Sequence, residues 1–271
     1  MSSNIPIFIP SKGRYDNGLT WKALDAMGVH RYRVIVEPQE YDSYRKVLPA
    51  EKLLVLDMEY KQKYDTCDGI PYADNPRVGS GAARNFGWDT AKKEGAPWHW
   101  IIDDNIRRFL VYNDNQKCIA RYDTFACVER FAERYENVVM SGMQYAMFVP
   151  KKQKNRPLII NTRIFSCNLI KTDSPFRWRG RYNEDVILSL DMLEAGYCTV
   201  LFNTYLCDKI RTQNMKGGNT DELYKSGTEE KSRLLKSVYP DKVALVMRYG
   251  RPHHRVDFLV YNKRNQLIRK K

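Results

Sequence analysis

Trp98-His99-Trp100-Ile101-Ile102-Asp103-Asp104-Asn105 is an apolar run that stops abruptly on two carboxylates and an amide. A short hydrophobic segment of this kind reads as a buried strand. The acids that end it then fall at the strand's C-terminal end, where open α/β sheets hold ligands. Hard oxygen donors in that place suit a divalent cation gripping phosphates. Upstream, Ile5-Pro6-Ile7-Phe8-Ile9 is β-rich and breaks at Pro10-Ser11-Lys12-Gly13-Arg14, after which Leu19 to Met27 has helical spacing. Arg33 to Pro38 predicts a second strand, Tyr41 to Val47 a helix and Leu53 to Asp57 a third strand. Gly79-Ser80-Gly81 opens a helix through Asp89 that stops near Gly95-Ala96-Pro97. Repeated βα units predict the α/β class, with a Rossmann-related, mostly parallel central sheet flanked by helices.

Downstream, Thr124 to Tyr135 reads as a helix and Val138 to Val149 as strand-rich, and Lys151-Lys152-Gln153-Lys154-Asn155-Arg156-Pro157 is a basic loop. Leu158 to Ile170 is again strand-like. Tyr182-Asn183-Glu184-Asp185 supplies a second acidic pair just before the amphipathic stretch Val186 to Ala195, and Cys198 to Leu206 predicts another strand. Gln213 to Thr220 has the glycines and polar residues of a mobile loop, Glu229 to Val238 reads as a helix, and Arg248 to Arg255 leads to Val256 to Tyr261 and a basic tail. With no internal repeat or linker, the reading is one domain over residues 1–271 with a basic C-terminal extension.

At 271 residues, 43% of them apolar, the chain can bury a sizeable core, and no run approaches the length that crosses a bilayer. Met1-Ser2-Ser3-Asn4 enters the first strand without a basic leader or cleavage site, and the six cysteines form no C-x-x-C pair. Both point to a cytoplasmic protein with reduced thiols. The excess of 45 Lys plus Arg over 32 Asp plus Glu, a net +13, attracts polyanions such as nucleotides and nucleic acid.

Two carboxylate stations in one basic chain suggest metal-assisted transfer with a separate base. Asp103, Asp104 and Asn105 are the candidates for the metal, although Asp and Asn also cap helices. Pro10, Ser11, Lys12 and Arg14 suit a nucleotide base, ribose or phosphate, and Glu37 ends the second strand within reach of such a ligand. Lys216 and Gly217 can close over a diphosphate and exclude water. A carboxylate can take the proton of an attacking hydroxyl, and Asp185 is the first choice over its neighbour Glu184. The two point in different directions on a helix, and both also suit its N-terminal dipole. Arg177-Trp178-Arg179-Gly180-Arg181 interleaves cations with an aromatic ring, as nucleic-acid contacts do.

Ile9-Pro10-Ser11-Lys12-Gly13-Arg14, Gly81-Ala82-Ala83-Arg84-Asn85, Ile102-Asp103-Asp104-Asn105 and Asn183-Glu184-Asp185, in this order, resemble the GT-A fold of nucleotide-sugar glycosyltransferases. More narrowly they resemble the TET-associated glycosyltransferase family, linked to bacteriophages that glycosylate hydroxymethylated pyrimidines in DNA. The resemblance implies a UDP-sugar donor and Mn2+ or Mg2+. It also implies donor contacts from Asp103, Arg84 and Asn85, and a late imidazole ligand from His253 or His254. The acceptor it implies is a hydroxymethylpyrimidine in DNA, 5-hydroxymethylcytosine foremost, inside a host cytoplasm. The usual Asp-x-Asp motif ends here in the neutral Asn105, whose amide oxygen can still coordinate a hard cation. A glycan or small-molecule acceptor, or a noncatalytic DNA-binding protein of the same fold, is the other reading.

Overall fold

β1 (Ile7–Pro10), β2 (Tyr32–Val36), β3 (Leu53–Val55) and β4 (Trp98–Ile102) lie parallel in the order β3-β2-β1-β4. Successive strand side chains face opposite sides of a sheet, and here both sides are covered. Ile7, Ile9, Val34, Val36, Trp98, Trp100 and Ile102 enter one core, and Phe8, Ile35 and Ile101 the other. That double burial is why these strands read as apolar runs broken only by Arg33 and His99. α1 (Leu19–Ala26) adds Trp21 and Leu24 to the first core, while α4 (Gly81–Lys93) adds Ala82, Trp88 and Ala91 to the second. The short α2 (Tyr41–Arg45) and α3 (Glu59–Gln62) follow β2 and β3. The computed structural model describes residues 4–210, 217, 223, 229–248 and 250–271.

Beyond β4 the sheet continues as β9-β7-β10-β5-β6, with β8 also paired to β10. β9 (Cys167–Lys171) runs antiparallel to both β4 and β7 (Val138–Tyr145), and β10 (Cys198–Lys209) lies parallel to β7. β5 (Ile106–Asn113) and β6 (Gln116–Ile119) form a hairpin that the sequence reading passed over. Its two-residue loop is Asp114-Asn115, with φ of 45° and 60°, the left-handed pair a tight hairpin requires. The strand-like stretch 158–170 divides into β8 (Leu158–Ile160) and β9. The parallel expectation holds for the first four strands and for β7 with β10, and antiparallel pairs enter from β9 onward.

α5 (Thr124–Ala132) packs Phe125, Val128 and Ala132 into the first core. α6 (Glu184–Glu194) is buried around most of its circumference. Leu188 and Met192 face the second core, while Val186, Ile187, Leu190 and Leu193 meet Leu235 of α7 (Glu229–Val238), Val243 and Tyr261. Val243 begins the hairpin β11 (Val243–Arg248) and β12 (Arg251–Val256), and Tyr261 belongs to α8 (Leu259–Arg264). The tail then returns to the turn between α5 and β7. Tyr135 bridges Arg269, the Glu136 amide donates to the Ile268 carbonyl at 2.8 Å, and the Lys270 amide donates to the Arg134 carbonyl at 2.8 Å. No helix among the described residues is long and apolar enough to cross a membrane.

Candidate active site

β4 delivers Asp103 and Asp104 to the sheet's C-terminal edge, and the turn that follows is pinned from both sides. Thr20 of α1 donates to the Asp103 carbonyl at 2.6 Å and accepts from the Ile106 amide at 2.9 Å. The Asp103 amide donates to the Ser166 carbonyl at 2.8 Å. The carboxylates are therefore carried on a fixed corner.

Each acid is met by its own cation. Asp103 Oδ1 accepts from Arg84 Nη2 at 2.8 Å, and Oδ2 accepts from Lys209 Nζ at 2.7 Å and Ser166 Oγ at 2.6 Å. Burial alone would raise its pKa, but Lys209 and Arg84 outweigh that and hold the carboxyl well below the usual range. Asp104 accepts from Ser11 Oγ at 2.8 Å and pairs with Arg14, yet its burial prevails and its pKa is raised. Asn105 Oδ1 is buried with no hydrogen-bond partner among the described residues.

The loop after β1 folds over this corner. Ser11 also shares a hydrogen bond of 2.7 Å with Tyr44, and the Gly13 amide donates to Glu40 at 2.6 Å. Pro10 ends β1 beside them. Glu37 stands between Lys12 at 2.8 Å and Lys61 at 2.9 Å; burial opposes its ionisation, but the two ammonium groups win and lower its pKa. Arg14 Nη2 donates to the Gly217 carbonyl at 2.8 Å. Gly217 has φ +86°, and an added Cβ would stand 2.8 Å from the Gly13 carbonyl oxygen, so the approach needs glycine. Lys216 lies outside the described residues.

Arg84 joins the two acidic stations. Buried in α4 beneath the Trp178 ring at 4.5 Å, it reaches Asp103 and lies 3.6 Å from Glu184, whose other contact is Ser80 Oγ at 2.9 Å. Its Nε and Nη1 have no hydrogen-bond partner among the described residues. Asp185 follows on the other side of the α6 N-terminus, and the field of Arg84, Asp103 and Lys231 reaches it. Burial first, then repulsion from Glu184, raises its carboxyl pKa to about 6. Asn183 starts the helix with φ 56° and donates from Nδ2 to the Lys231 carbonyl at 2.7 Å, which fixes where both acids begin.

Several expected residues have other work. Asn85 is a clamp on the Trp178 backbone, with Nδ2 donating to its carbonyl at 2.8 Å and Oδ1 accepting its amide at 3.0 Å, so its amide is not left for a donor. The cations of the segment 177–181 each pair with a carboxylate of the chain. Arg177 pairs with Asp89 at 3.1 Å, Trp178 is 1% exposed, Arg179 pairs with Asp191 at 2.7 Å, and Arg181 is buried against Asp68. All three cations pair within the chain, Arg181 buried and Arg177 and Arg179 partly exposed, and they tie this segment to the 65–78 stretch, α4 and α6. His253 and His254 lie in β12, and burial, with Lys231, Arg163 and His253 nearby, lowers the His254 pKa to about 4. Neither imidazole contacts Asp103, Asp104 or Asn105 among the described residues.

Among those residues no three His, Cys, Asp or Glu side chains form a metal cage. The orphan Asn105 oxygen beside two carboxylates, of which Asp103 is 20% exposed, nonetheless fits a hard cation of the kind that draws its remaining ligands from substrate phosphates. Lys209, Ser166, Lys61 and Tyr44 were missed. Lys209 contacts Asp103 across 106 positions of sequence, and its only local sign was a strand ending in Asp-Lys.

Residues 5–218 match the family described as TET-Associated Glycosyltransferase. No curated protein matches the sequence. Among solved structures, the crystal structure of a mycobacterial protein aligns with TM-score 0.51 at 12% identity, covering 93% of this chain and 83% of that one. Glucosyl-3-phosphoglycerate synthase from Mycobacterium tuberculosis, in complex with Mg2+ and uridine diphosphate, aligns at 0.50 and 12% identity over 93% of this chain and 86% of that one. The same enzyme with Mn2+, uridine diphosphate and phosphoglyceric acid aligns at 0.50 and 10% identity with the same coverage. At such identities the likeness shows the fold.

Proposed function

Because this chain belongs to the TET-Associated Glycosyltransferase family and is thus a nucleotide-sugar-dependent glycosyltransferase of GT-A type, we propose that it moves a sugar from a UDP-sugar to the hydroxyl of a 5-hydroxymethylpyrimidine in DNA, 5-hydroxymethylcytosine foremost. The observation that carries the reading is Arg84, whose buried guanidinium spans Asp103 and Glu184 while two of its nitrogens keep no hydrogen-bond partner among the described residues. A buried guanidinium that shares one nitrogen between two acidic stations and keeps Nε and Nη1 unpaired is prepared for a diphosphate. The uridine diphosphate and Mg2+ or Mn2+ of the mycobacterial synthase supply the chemistry by analogy.

Asp103 and Asn105 would hold the divalent ion, with Asp104 keeping Ser11 and Arg14 in place behind them. Bound there, the ion would neutralise charge on the departing diphosphate. Lys12, Arg14 and Lys209 surround the same corner with positive charge, which favours the anionic leaving group over the neutral sugar. Glu37, Lys12 and the Ser11 loop border the space for the nucleoside. Asp185 takes the proton of the acceptor hydroxyl as that oxygen attacks the anomeric carbon and the bond to the diphosphate breaks. A carboxyl pKa near 6 leaves it ionised yet basic at neutral pH. One displacement of this kind inverts the anomeric centre. The net charge of +13 suits a polyanionic acceptor better than a neutral glycan.

The test is mass spectrometry of hydroxymethylcytosine-containing DNA after incubation with the protein, Mn2+ and a panel of UDP-sugars. A gain of one sugar mass is expected. Hydrolysis of the donor with no gain would move the acceptor to another class of molecule.

A further inference from the structure

The loop between β7 and β8 carries Lys151, Lys152, Lys154 and Arg156, all exposed, and among the described residues none of them meets a carboxylate. Its entrance is aromatic. Tyr145 ends β7, and the turn Ala146–Phe148 that follows lifts Met147 and Phe148 into solvent, 50% and 57% exposed. An exposed ring and thioether beside unpaired cations are costly as idle surface, and they are the pair of features a single nucleic-acid strand uses.

This face is continuous with the active site. The Tyr145 ring lies 5.6 Å from that of Phe148, and its hydroxyl is 2.6 Å from Ser166 Oγ, itself 2.6 Å from Asp103. On the other flank, Lys117 of β6 donates to the Ala146 carbonyl at 2.8 Å; its partial burial and the charge of Lys151 lower its pKa. Arg107 and Arg108 of β5, 54% and 58% exposed, share the single carboxylate of Asp208, the residue before Lys209. The surface therefore keeps an excess of positive charge from the catalytic corner outward.

We propose that this face, from Arg107 and Arg108 through Phe148 to Lys151, Lys152 and Lys154, is where the DNA strand lies, with phosphates on the cations and an unpaired base on the Phe148 ring. The inference rests on the DNA-acceptor reading above and moves the contact away from the internally paired segment 177–181. A polymer that must present one base to a carboxylate needs contacts outside the reacting group. The segment also lacks the amphipathic helix with which proteins lie in a lipid interface.

Anisotropy titrations with a fluorescein-labelled oligonucleotide containing hydroxymethylcytosine, single-stranded and duplex, across a series of KCl concentrations test this on the full chain. The triple variant K151Q/K152Q/K154Q is expected to lower the duplex salt slope by about 2 to 3, since each phosphate contact contributes about 0.9. The equal-charge control K263Q/K270Q/K271Q should leave the slope near wild type. F148A should weaken single-strand binding by roughly 5-fold or more, as loss of a stacked base does. UDP affinity, read by calorimetry in the same variants, should not move, which guards against misfolding. Equal losses in both triple variants, or wild-type binding by the 151–154 variant, would overturn the surface. So would preference of the wild type for phosphatidylserine vesicles over DNA. If the wild type glycosylates DNA and the 151–154 variant does so with the same KM, the surface fails alone. If the wild type hydrolyses UDP-sugars yet neither binds nor modifies DNA, the acceptor reading fails and takes the surface with it.

Discussion

Asp185 and Glu184 adjoin in sequence but do different work. Glu184 is held by Ser80 and faces Arg84, whereas Asp185 is raised to about 6 by its burial and by Glu184. As the base, Asp185 must be ionised, so kcat/KM should fall as pH drops through about 6 and level off above it. D185N is expected to lower kcat by roughly 10^2 to 10^4-fold, the usual share of a positioned base. E184Q should keep measurable turnover while moving the acid limb to lower pH, because one neighbouring negative charge is gone. Steady-state kinetics over about pH 5 to 8, which brackets the Asp185 value of about 6, separate the two, and an unmoved limb in E184Q would show that the residues are not coupled. Arg84 is the other decisive residue. R84M leaves Asp103 and Glu184 buried without it, a loss of about 3 kcal/mol or more by denaturant melts, and should weaken UDP binding by calorimetry.

At the scale of elements, the start of α4 sets where Arg84 points. An added Cβ on Gly81 would stand 1.8 Å from the Tyr64 hydroxyl, which donates to the Gly180 carbonyl at 3.0 Å. G81A is expected to cost about 1 to 3 kcal/mol as overpacking and to lower activity by shifting the helix, visible as a lower urea midpoint together with a reduced kcat. The elements that were legible in the sequence are those whose residues carry a period or a clear stop. β4 is apolar but for His99 and ends on acids, and the residues of α1, α4, α6 and α7 repeat at helical spacing. β6 was not legible because it is a four-residue, largely exposed edge strand with no apolar alternation. The acids of the site were readable as local motifs, but their partners were not. Lys209 and Ser166 reach Asp103 from 106 and 63 positions away. Nor could composition tell that Arg177, Arg179 and Arg181 pair with Asp89, Asp191 and Asp68 of the same chain.

Across the whole molecule, acid should destabilise the fold through its buried imidazoles. His99 is enclosed between Phe8 and Trp88, and its burial, aided by Arg177, lowers its pKa from 6.5 to about 3; His254 falls to about 4. Above pH 6.5 (the ordinary histidine value, about that of the unfolded chain) both are neutral in either state and cost nothing. Below it the unfolded chain takes up protons that the folded chain refuses. Stability is then lost by roughly 1.4 kcal/mol per pH unit for each group until its folded value is reached. Between about pH 7 and pH 5 the wild type should therefore lose about 2 kcal/mol more than H99Q in urea unfolding. Equal losses would mean that His99 is already solvated.

The return of residues 266–270 onto the turn at 134–137 bears on the order in which the molecule folds. The Ile268 amide reaches Asn137 Oδ1 at 2.9 Å across 131 positions, so this edge closes only when chain far downstream comes back to the middle of the sequence. The entropy of closing so long a loop grows only logarithmically with its length, so the clasp costs the finished protein little. Contacts this distant in sequence weigh instead on kinetics, and the clasp belongs among the late, slow steps of refolding.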